Sequence, residues 1–342
     1  VTTVSNAAGG SEPETISSIK LNAPLDYATQ GRAVTADDYK VYVRKLFNNT
    51  QAVSVWGGED GSFDTSTGVS STPEYGKVFI SVKSTTGLNL TTSQKENLEK
   101  DLAPFKVASI TPVVVNPETT FIILGITFNY NSSATTQSKT DLESSVSTTI
   151  SNFNNNKLKN FNSPFRHSEL TGLIDDTDSA ITNNTTTVTM AKFFTPSLTT
   201  SSNYTVSFNN ALYNPHSGHN SSGGGVIAST GFQIDGDTST EYFFDEDGSG
   251  NLRTYSVVSG TRTYLNSTAG SVDYTNGIVS INALKITAVS NIDGETSTTI
   301  RVTAIPSSND IVPVRNQLLE LDLVNTTITG QVDNTTTTGV GY

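Results

Sequence analysis

The sequence predicts a multidomain α+β fold, in which small mixed sheets carry helices on one face and an all-β domain follows. At 342 residues the chain is too long for one ordinary hydrophobic core. Helix-capping patterns and apolar stripes at helical spacing alternate with β-branched runs as far as Thr195. From Pro196 to Ile305 the helical periodicity disappears, and short alternating runs between turn residues replace it. We therefore expect the main change in architecture at Pro196.

Four segments follow from these changes in pattern. Residues 1–34 are expected to form an N-terminal helical docking segment, and residues 35–195 an α/β core. Residues 196–306 are expected to form a β-rich domain that folds separately. Residues 307–342 would form a C-terminal strand and a flexible arm, because the Thr, Asn and Gly residues of 325–342 offer little to bury. Such an arm would be ordered only against a neighbour.

The N-terminal region carries two helix starts. Ser11 and Glu14 form a capping box, in which each side chain satisfies an otherwise unpaired backbone N–H. Because proline disfavours helix in the residue before it, this first helix is expected to end at Ala23-Pro24. Thr35 and Asp38 form a second capping box. The apolar residues behind it recur at helical spacing and predict one buried face, made of Tyr39, Tyr42, Val43, Leu46 and Phe47.

Strands and helices alternate through the rest of the α/β core. A third capping box, Thr91 with Gln94, opens a helix that carries Leu98 and Leu102 on one face. Further helices are expected at about 138–153 and after Pro164, the latter with Leu170, Leu173 and Ile174 inward. The β-branched and aromatic runs predict strands at 51–56, 77–83, 110–115, 121–130 and 188–194. Trp56, at the end of the first strand, is expected in a core or an interface.

Short strands dominate the remaining sequence. Asp245 to Asn251 and Tyr274 to Gly277 read as hairpin connections. The clearest strands are 204–208, 241–244, 252–258 and 278–281, with further strands at 301–304 and 317–324.

A series of short motifs near the N-terminus resembles a known family. The residues GGSEPET (9–15), Ala23-Pro24 and QGRAVTADDY (30–39) are similar to the baseplate J-like family of contractile phage tails. Within that family they look most like the wedge subunits of myovirus baseplates. The resemblance continues more loosely to about Thr195.

The resemblance implies a structural protein without enzymatic activity or a cofactor. It implies homodimers that close into a ring around the tail tube, contacts with other wedge proteins and neighbouring wedges, and contacts with sheath-initiator or tube-proximal proteins. Rearrangement of the ring would release the sheath to contract. The implied location is the virion, in the tail baseplate, after assembly in the host cytoplasm. Since Val1 is not an initiator methionine, we expect the sequence to be part of a longer chain.

Composition excludes several classes of function. The net charge of −12, without a cluster of basic residues, argues against a nucleic-acid partner. The absence of cysteine excludes disulfides, thiolate metal sites and thiol nucleophiles. The longest apolar run, Phe121 to Phe128, is too short to span a bilayer, so no membrane partner is expected.

Two loops contain residues that can bind metal ions. Asp245, Asp247 and Asn251 echo part of a calcium loop with Gly248 between them, but the bidentate Glu at the twelfth position is missing. A hairpin turn explains them better. His216 and His219 could place two imidazoles near one metal, but Pro and Gly make this segment a surface loop without an adjacent acidic residue. We therefore predict no metal site.

Two alternative functions remain open. A carbohydrate-binding or receptor-binding tail module predicts exposed aromatic residues clustered on one face, with Tyr242, Tyr255 and Tyr264 as candidates. A polysaccharide-cleaving tail enzyme predicts two carboxylates about 5–10 Å apart across a cleft. A serine hydrolase is disfavoured, because no Gly-x-Ser-x-Gly sequence occurs.

The segment 310–322 is the candidate subunit interface. Its apolar residues fall on both faces of a strand, and Pro313 favours a sheet edge because it lacks a ladder donor. An edge strand with two apolar faces invites pairing with another chain. We therefore predict that Leu319 and Leu321 lie at or beside an interface, with Arg315 free to pair with a partner's carboxylate. The alternative is a strand buried within its own subunit.

Overall fold

The computed structural model describes residues 16–61, 63–64, 68–69, 72–219 and 225–333. The described residues divide into two compact units. The first unit comprises those of Val1–Asp64 and Val69–Glu118, and the second those of Thr65–Gly68 and Thr119–Tyr342. Both contain helices and sheets, so the predicted multidomain α+β class is confirmed. In the described part of the chain, no helix is both long and apolar enough to cross a membrane.

The N-terminal part of the chain forms a small sheet with helices on one face. Strands β1 and β4 pair in antiparallel fashion, β4 and β5 pair in parallel, and β2 and β3 form a separate two-stranded ribbon. The elements are α1 (Ile16–Thr29), α2 (Ala36–Leu46), β1 (Thr50–Gly57), β2 (Phe63–Asp64), β3 (Gly68–Val69), β4 (Lys77–Ser84), α3 (Thr92–Leu102) and β5 (Thr111–Val115).

Local sequence explains why α2 and α3 begin where they do. The Thr35 hydroxyl accepts from the Asp38 N–H at 3.2 Å, and the Asp38 carboxylate accepts from the Thr35 N–H at 2.8 Å. Thr91 and Gln94 form the same reciprocal pair at the start of α3. Both predicted capping boxes are thus confirmed. The two helices and one face of the sheet share a hydrophobic core, which includes Tyr39, Tyr42, Val43, Val53, Val55, Ile80, Val82, Leu98 and Leu102.

The other face of this sheet carries an aromatic stack. Trp56 is buried, and its ring lies 5.7 Å from that of Phe79. The indole N–H donates to the Gly61 carbonyl at 3.1 Å, so the buried polar atom is satisfied. The predicted burial of Trp56 is confirmed.

The first helix differs from its predicted extent. It runs through Pro24 to Thr29, whereas we expected it to end at Ala23-Pro24. Pro24 removes one helical hydrogen bond, but contacts with α2 hold the turns that follow it. The Thr29 hydroxyl lies 3.0 Å from that of Tyr42, and Lys45 pairs with Asp26 at 3.2 Å. The predicted cap of Ser11 and Glu14 lies outside the described residues.

The second unit begins with a long strand and two helices. Its strands form a six-stranded sheet with the order β17-β6-β7-β16-β9, in which β18 also pairs with β6, and a seven-stranded sheet with the order β15-β10-β11-β12-β13-β14-β8. The elements are β6 (Glu118–Tyr130), α4 (Lys139–Asn156), α5 (His167–Asp175), β7 (Ile181–Phe194), β8 (Ser202–Ser207), β9 (Ile227–Ser229), β10 (Phe232–Ile234), β11 (Asp237–Glu246), β12 (Asn251–Val258), β13 (Thr261–Asp273), β14 (Ile278–Leu284), β15 (Ile286–Val289), β16 (Ile300–Ala304), β17 (Gln317–Leu321) and β18 (Thr327–Val332).

The division into compact units differs from the predicted segments. The chain divides near Glu118, whereas we placed boundaries at 34/35, 195/196 and 306/307. Strand β7 pairs with β16 across the predicted boundary at Pro196. One hydrophobic core also extends from Ile122 to Leu321 and draws on both sheets, α4 and α5. The change of periodicity at Pro196 therefore marks a change of secondary structure within one core.

The predicted C-terminal arm is wrong for residues 327–332. These residues form β18, which pairs in parallel with residues 125–130 of β6. Gly330 fits closely against the Phe128 ring, because a Cβ at this position would lie 2.8 Å from it. Residues 334–342 of the predicted arm lie outside the described residues.

Candidate interaction surfaces

The candidate interface strand β17 lies at the edge of the six-stranded sheet and is covered on both faces, as predicted. Leu318 and Leu319 point to opposite faces and are 1% and 0% exposed. Leu321 is 3% exposed and belongs to the core of the second unit. This burial favours the alternative that the strand is buried within its own subunit. The predicted interface role of Leu319 and Leu321 remains a prediction. Replacement of Leu319 by Asp tests it.

Arg315 is exposed and already interacts with another group of the chain. Its pairing with a partner's carboxylate remains a prediction. The neighbouring Gln317 is fully buried, and its side-chain amide donates to the Thr120 hydroxyl at 2.6 Å and to the Phe208 carbonyl at 3.2 Å. The Gln317 side chain therefore binds within its own subunit.

The outer edge of β17 is closed by groups of its own chain. The Asn154 side-chain oxygen accepts from the Leu321 N–H at 2.9 Å, and the Lys159 N–H donates to the Leu319 carbonyl at 3.0 Å. Lys159 also pairs with Glu320 at 3.1 Å. Because these ladder groups are occupied, this edge is protected from pairing with a strand of another chain.

A cluster of arginine and tyrosine side chains covers one face of β11, β12 and β13. The Arg253 guanidinium lies 4.3 Å from the Tyr264 ring centroid, and that of Arg262 lies 4.5 Å from the Tyr255 ring centroid. The two tyrosine rings are 5.9 Å apart. Asp245 lies among them with its side chain 1% exposed. We call these five residues the Arg–Tyr cluster.

Asp245 holds the Arg–Tyr cluster together. One carboxylate oxygen accepts from Arg253 Nε at 2.9 Å, and the other accepts from Arg262 at 2.6 Å and from the Tyr264 hydroxyl at 3.0 Å. Burial and then the hydrogen bond to Asp245 raise the pKa of Tyr264 above its ordinary value. A buried carboxylate with three charged or polar donors is satisfied, so it is not available as a general base or a metal ligand.

The exposed tyrosine face expected for a carbohydrate-binding module is not observed. Tyr242 points into the core on the opposite face from Tyr255, is 7% exposed, and donates to Asp237 at 2.9 Å. Tyr255 is 8% exposed, and an arginine covers a ring face of both Tyr255 and Tyr264. These rings are therefore not free to stack on a sugar.

The segment after β11 is a hairpin connection, as predicted. One Asp247 oxygen accepts from the backbone N–H groups of Ser249 at 2.8 Å and Asn251 at 3.0 Å, and the other accepts from the Asn251 side chain at 2.6 Å. Burial raises the pKa of Asp247, but these hydrogen bonds outweigh burial and keep the pKa below its ordinary value. Its neighbour Glu246 accepts from the Val226 N–H and the Tyr274 hydroxyl. The carboxylates of this calcium-like segment thus accept hydrogen bonds that stabilise the hairpin and its neighbours.

His216 and His219 lie close together, but one ring nitrogen of each contacts a backbone carbonyl. Their ring centroids are 6.0 Å apart. Nδ1 of His216 lies 3.2 Å from the Ser217 carbonyl, and Nδ1 of His219 lies 2.9 Å from the His216 carbonyl. Within the described ranges, no three His, Asp or Glu side chains converge as a metal site would require.

Two surface depressions formed by described residues each contain a single acidic residue. One, of about 450 Å³, is lined by Gln233, Ala288, Val289, Ser290 and Asn291 and by a single acid, Glu241, which accepts from Ser290. Another, of about 420 Å³, contains Asp273 as its single acid. Asp273 accepts from two backbone N–H groups of its own turn and from Asn276, and these hydrogen bonds keep its pKa low. Neither depression offers two carboxylates facing each other across a cleft.

Two segments of the chain match known families of phage baseplate proteins. Residues 35–115 match the family "Baseplate structural protein gp6, C-terminal domain I", and residues 118–193 match "Baseplate structural protein gp6, C-terminal domain III". The break between the matches coincides with the division of the structure near Glu118. The two segments are therefore similar to baseplate structural proteins. Neither description carries the baseplate J-like name, and that finer assignment remains a prediction.

A particular relative is the baseplate wedge protein gp6 of Enterobacteria phage T4. It is 30% identical over 187 residues, which are 54% of this chain and 26% of the relative. The chain thus spans about a quarter of the length of that protein. A chain in the cryo-EM structure of the anti-feeding prophage baseplate is 12% identical with a TM-score of 0.35, over 53% of this chain and 39% of that chain. This TM-score is too low for an argument from shared fold.

Proposed function

We propose that this chain is a structural component of a contractile-tail baseplate wedge. One observation carries the proposal, namely that two successive segments match two different C-terminal domains of the same baseplate structural protein. The identity of 30% to the wedge protein of phage T4 supports the same assignment. The function would rest on stable folding and on contacts with other proteins.

The satisfied carboxylates are consistent with a structural role. Asp245, Asp247 and Glu246 bind donors of their own chain, and Asp273 serves a turn. Each of these groups stabilises local structure, so none of them supplies the unengaged acid or base that hydrolysis needs.

The finer functional statements belong to the same proposal. The chain would form homodimers that close into a ring around the tail tube, and it would contact other wedge proteins and neighbouring wedges. Sheath-initiator or tube-proximal proteins are further expected partners. The protein would be part of the virion, in the tail baseplate, after assembly in the host cytoplasm.

Labelling of purified phage tails with an antibody against this chain tests the location. We expect gold particles at the baseplate end of the tail in electron micrographs. Labelling along tail fibres, or none on intact or partly dissociated tails, would overturn the proposal. An antibody against the major sheath protein of the same phage serves as a positive control for tail integrity.

A further inference from the structure

The guanidinium of Arg262 is the most exposed charged group of the Arg–Tyr cluster. Its side chain is 38% exposed, whereas those of Arg253 and Asp245 are 7% and 1% exposed. It stacks on the Tyr255 ring, 4.5 Å from the ring centroid, and one of its N–H groups donates to Asp245 at 2.6 Å. These two contacts hold in one place a side chain that otherwise has many rotamers on a protein surface.

Several hydrogen-bond donors of this guanidinium are not used by the chain. An arginine has five N–H donors, arranged in a planar fork. In the described part of the chain, those of Arg262 contact the Asp245 carboxylate and the Tyr264 hydroxyl only. The contact with Tyr255 occupies a face of the guanidinium and leaves its edge open. The remaining donors therefore form an oriented, accessible edge, which is the geometry that binds a carboxylate through two parallel hydrogen bonds.

An exposed apolar side chain lies opposite Arg262 on the same face of the sheet. Val257 of β12 is the cross-strand partner of Arg262 in β13, and it is 53% exposed. Directly opposite residues of an antiparallel pair share a face and lie close together, so the two side chains form one patch. Beneath Arg262, Tyr255 is 8% exposed. Arginine and tyrosine are the residue types that most often carry the binding energy of protein interfaces.

The patch is locally positive in a chain whose net charge is −12. The Arg–Tyr cluster contains two arginines and one carboxylate and is therefore net positive. Glu241 lies on the same face of β11 as Asp245, but its carboxylate lies against Gly231 and accepts from Ser290, on the side of β11 away from Arg262. An acidic group that arrives from outside thus meets a positive charge at this patch.

We propose that Arg262 and Val257 bind an acidic segment of a different protein of the assembly, in which an aspartate or glutamate lies next to an apolar residue. The inference deepens the proposed function and rests on it, because it names a surface for one partner of the wedge component. The partner's carboxylate would accept two hydrogen bonds from the open edge of Arg262. The apolar residue beside it would cover Val257.

Charge favours this occupant over two others. A nucleic acid needs many cationic contacts to its phosphates, and one accessible arginine in a chain of net charge −12 does not supply them. A second copy that used the same patch about a twofold axis would place Arg262 near its own equivalent, and like charges repel. A single carboxylate instead balances the positive charge of the cluster and pairs with donors that are already oriented.

The prior fixing of Arg262 makes a small contact effective. Because Tyr255 and Asp245 already hold the guanidinium, binding does not have to order a flexible side chain, and less entropy is lost. A lysine at this position could still pair with Asp245, but it has no planar fork for a second carboxylate. Arg262→Lys is therefore the variant that separates the proposed contact from the internal ion pair.

Side-chain NMR signals of the arginines in the full chain test the carboxylate site. The probes are a peptide with blocked termini, Gly-Leu-Glu-Leu-Gly, and the same peptide with glutamine in place of glutamate. We expect the glutamate peptide alone to shift the Nε–H signal of Arg262, which is identified by its loss in Arg262→Lys. Arg301, which already binds both oxygens of Asp293, is the internal control. Equal effects of the two peptides on Arg262, or of the glutamate peptide on Arg262 and Arg301, would overturn the proposal.

Incorporation into phage tails tests the partner. Purified baseplates should contain several-fold less of the chain when Arg262→Lys replaces the wild type, whereas Arg301→Lys, the matched control, should be incorporated at the wild-type level. Circular dichroism of the isolated variants checks that they are folded. Normal incorporation of Arg262→Lys would overturn the inference and leave the proposed function intact. Absence of the wild-type chain from baseplates would instead count against the proposed function.

A second variant keeps Arg262 and all its internal contacts. Val257→Asp adds a carboxylate opposite Arg262 at an exposed position, where it would compete with the partner's carboxylate and repel an acidic segment. We expect it to lower incorporation into baseplates as Arg262→Lys does, and normal incorporation would contradict the proposed site. Sedimentation of the isolated chains completes the test. Self-association of the wild type that both variants abolish would overturn the assignment to a different protein and identify a second copy as the occupant.

Discussion

The Asp310 carboxylate accepts a hydrogen bond from the backbone N–H of His167 at 2.9 Å, from 143 positions away in the sequence. His167 is the first residue of α5, and Arg166, at the N-cap position, provides no side-chain cap. The second Asp310 oxygen accepts from Arg166 at 2.8 Å. A distant residue thus supplies the cap that the local sequence lacks.

Replacement of Asp310 by Ala should therefore destabilise the second unit by about 1 kcal/mol, as loss of a helix cap does. Asp310→Asn keeps one oxygen acceptor and should cost less. Urea unfolding followed by circular dichroism measures both. An alanine variant as stable as the wild type would show that the long-range cap has no energetic role.

The same contact predicts a dependence of stability on pH. The hydrogen bond from Arg166, followed by that from the His167 N–H, lowers the pKa of Asp310 in the folded state. Its contribution is therefore fully present above the unfolded-state pKa and is lost as pH falls through the lower folded-state pKa. The difference in unfolding free energy between wild type and Asp310→Asn should shrink on acidification. A difference that stays constant from neutral to acidic pH would contradict this.

Substitution of Leu319 distinguishes the two interpretations of β17. Since Leu319 is fully buried in its own unit, Leu319→Asp should prevent folding of that unit, at a cost of several kcal/mol. Leu323→Asp, at a position that is 43% exposed, is the matched control and should fold. Circular dichroism measures folding and sedimentation measures mass. A well-folded Leu319→Asp monomer, from a wild type that is not monomeric, would support the interface.

Removal of the carboxylate at the centre of the Arg–Tyr cluster should be costly. Asp245→Ala removes the buried carboxylate that pairs with Arg253, and loss of one member of a buried ion pair typically costs about 3–5 kcal/mol. Asp235→Ala, which removes the exposed partner of Lys285, should cost no more than about 1 kcal/mol. Chemical denaturation of the two variants checks the contrast, and similar small losses would mean that the Arg–Tyr cluster contributes little.

The single core of the second unit predicts how fragments behave. A fragment of residues 196–306 lacks β6, β7 and α4, which contribute to its core, and should remain unfolded. Residues 119–333 should fold cooperatively. Proton NMR spectra of the two fragments provide the measurement, and a dispersed spectrum for 196–306 would instead support the separately folding domain that the sequence predicts.

Short-range features of the fold were predictable because neighbouring residues determine them. The predicted capping boxes at Thr35 and Thr91 each need only a residue three positions later. The helix predicted at about 138–153 is confirmed as α4, and its residues Leu142, Val146 and Ile150 lie in the core. Periodicity is a local signal.

Long-range features were missed because residues far apart in sequence produce them. The sequence does not indicate that Asp310 would cap α5 or that the Arg–Tyr cluster would form across three strands. Strand β18 is mostly polar and exposed. The short alternation of Thr and Ile at its start was therefore the single feature of the sequence that could have predicted a strand there. The closure of β17 by Asn154 depends on how α4 ends.

The placement of β17 and β18 beside β6 has a consequence for synthesis. The Leu124 N–H donates to the Thr326 hydroxyl, 202 positions later. At about 5–20 residues per second, a ribosome needs roughly 10–40 s to add the residues between them. Throughout that interval one edge of β6, an apolar strand, has no neighbour and can pair wrongly with another nascent chain. The second unit can therefore complete its native core only after translation has passed Leu321 of β17.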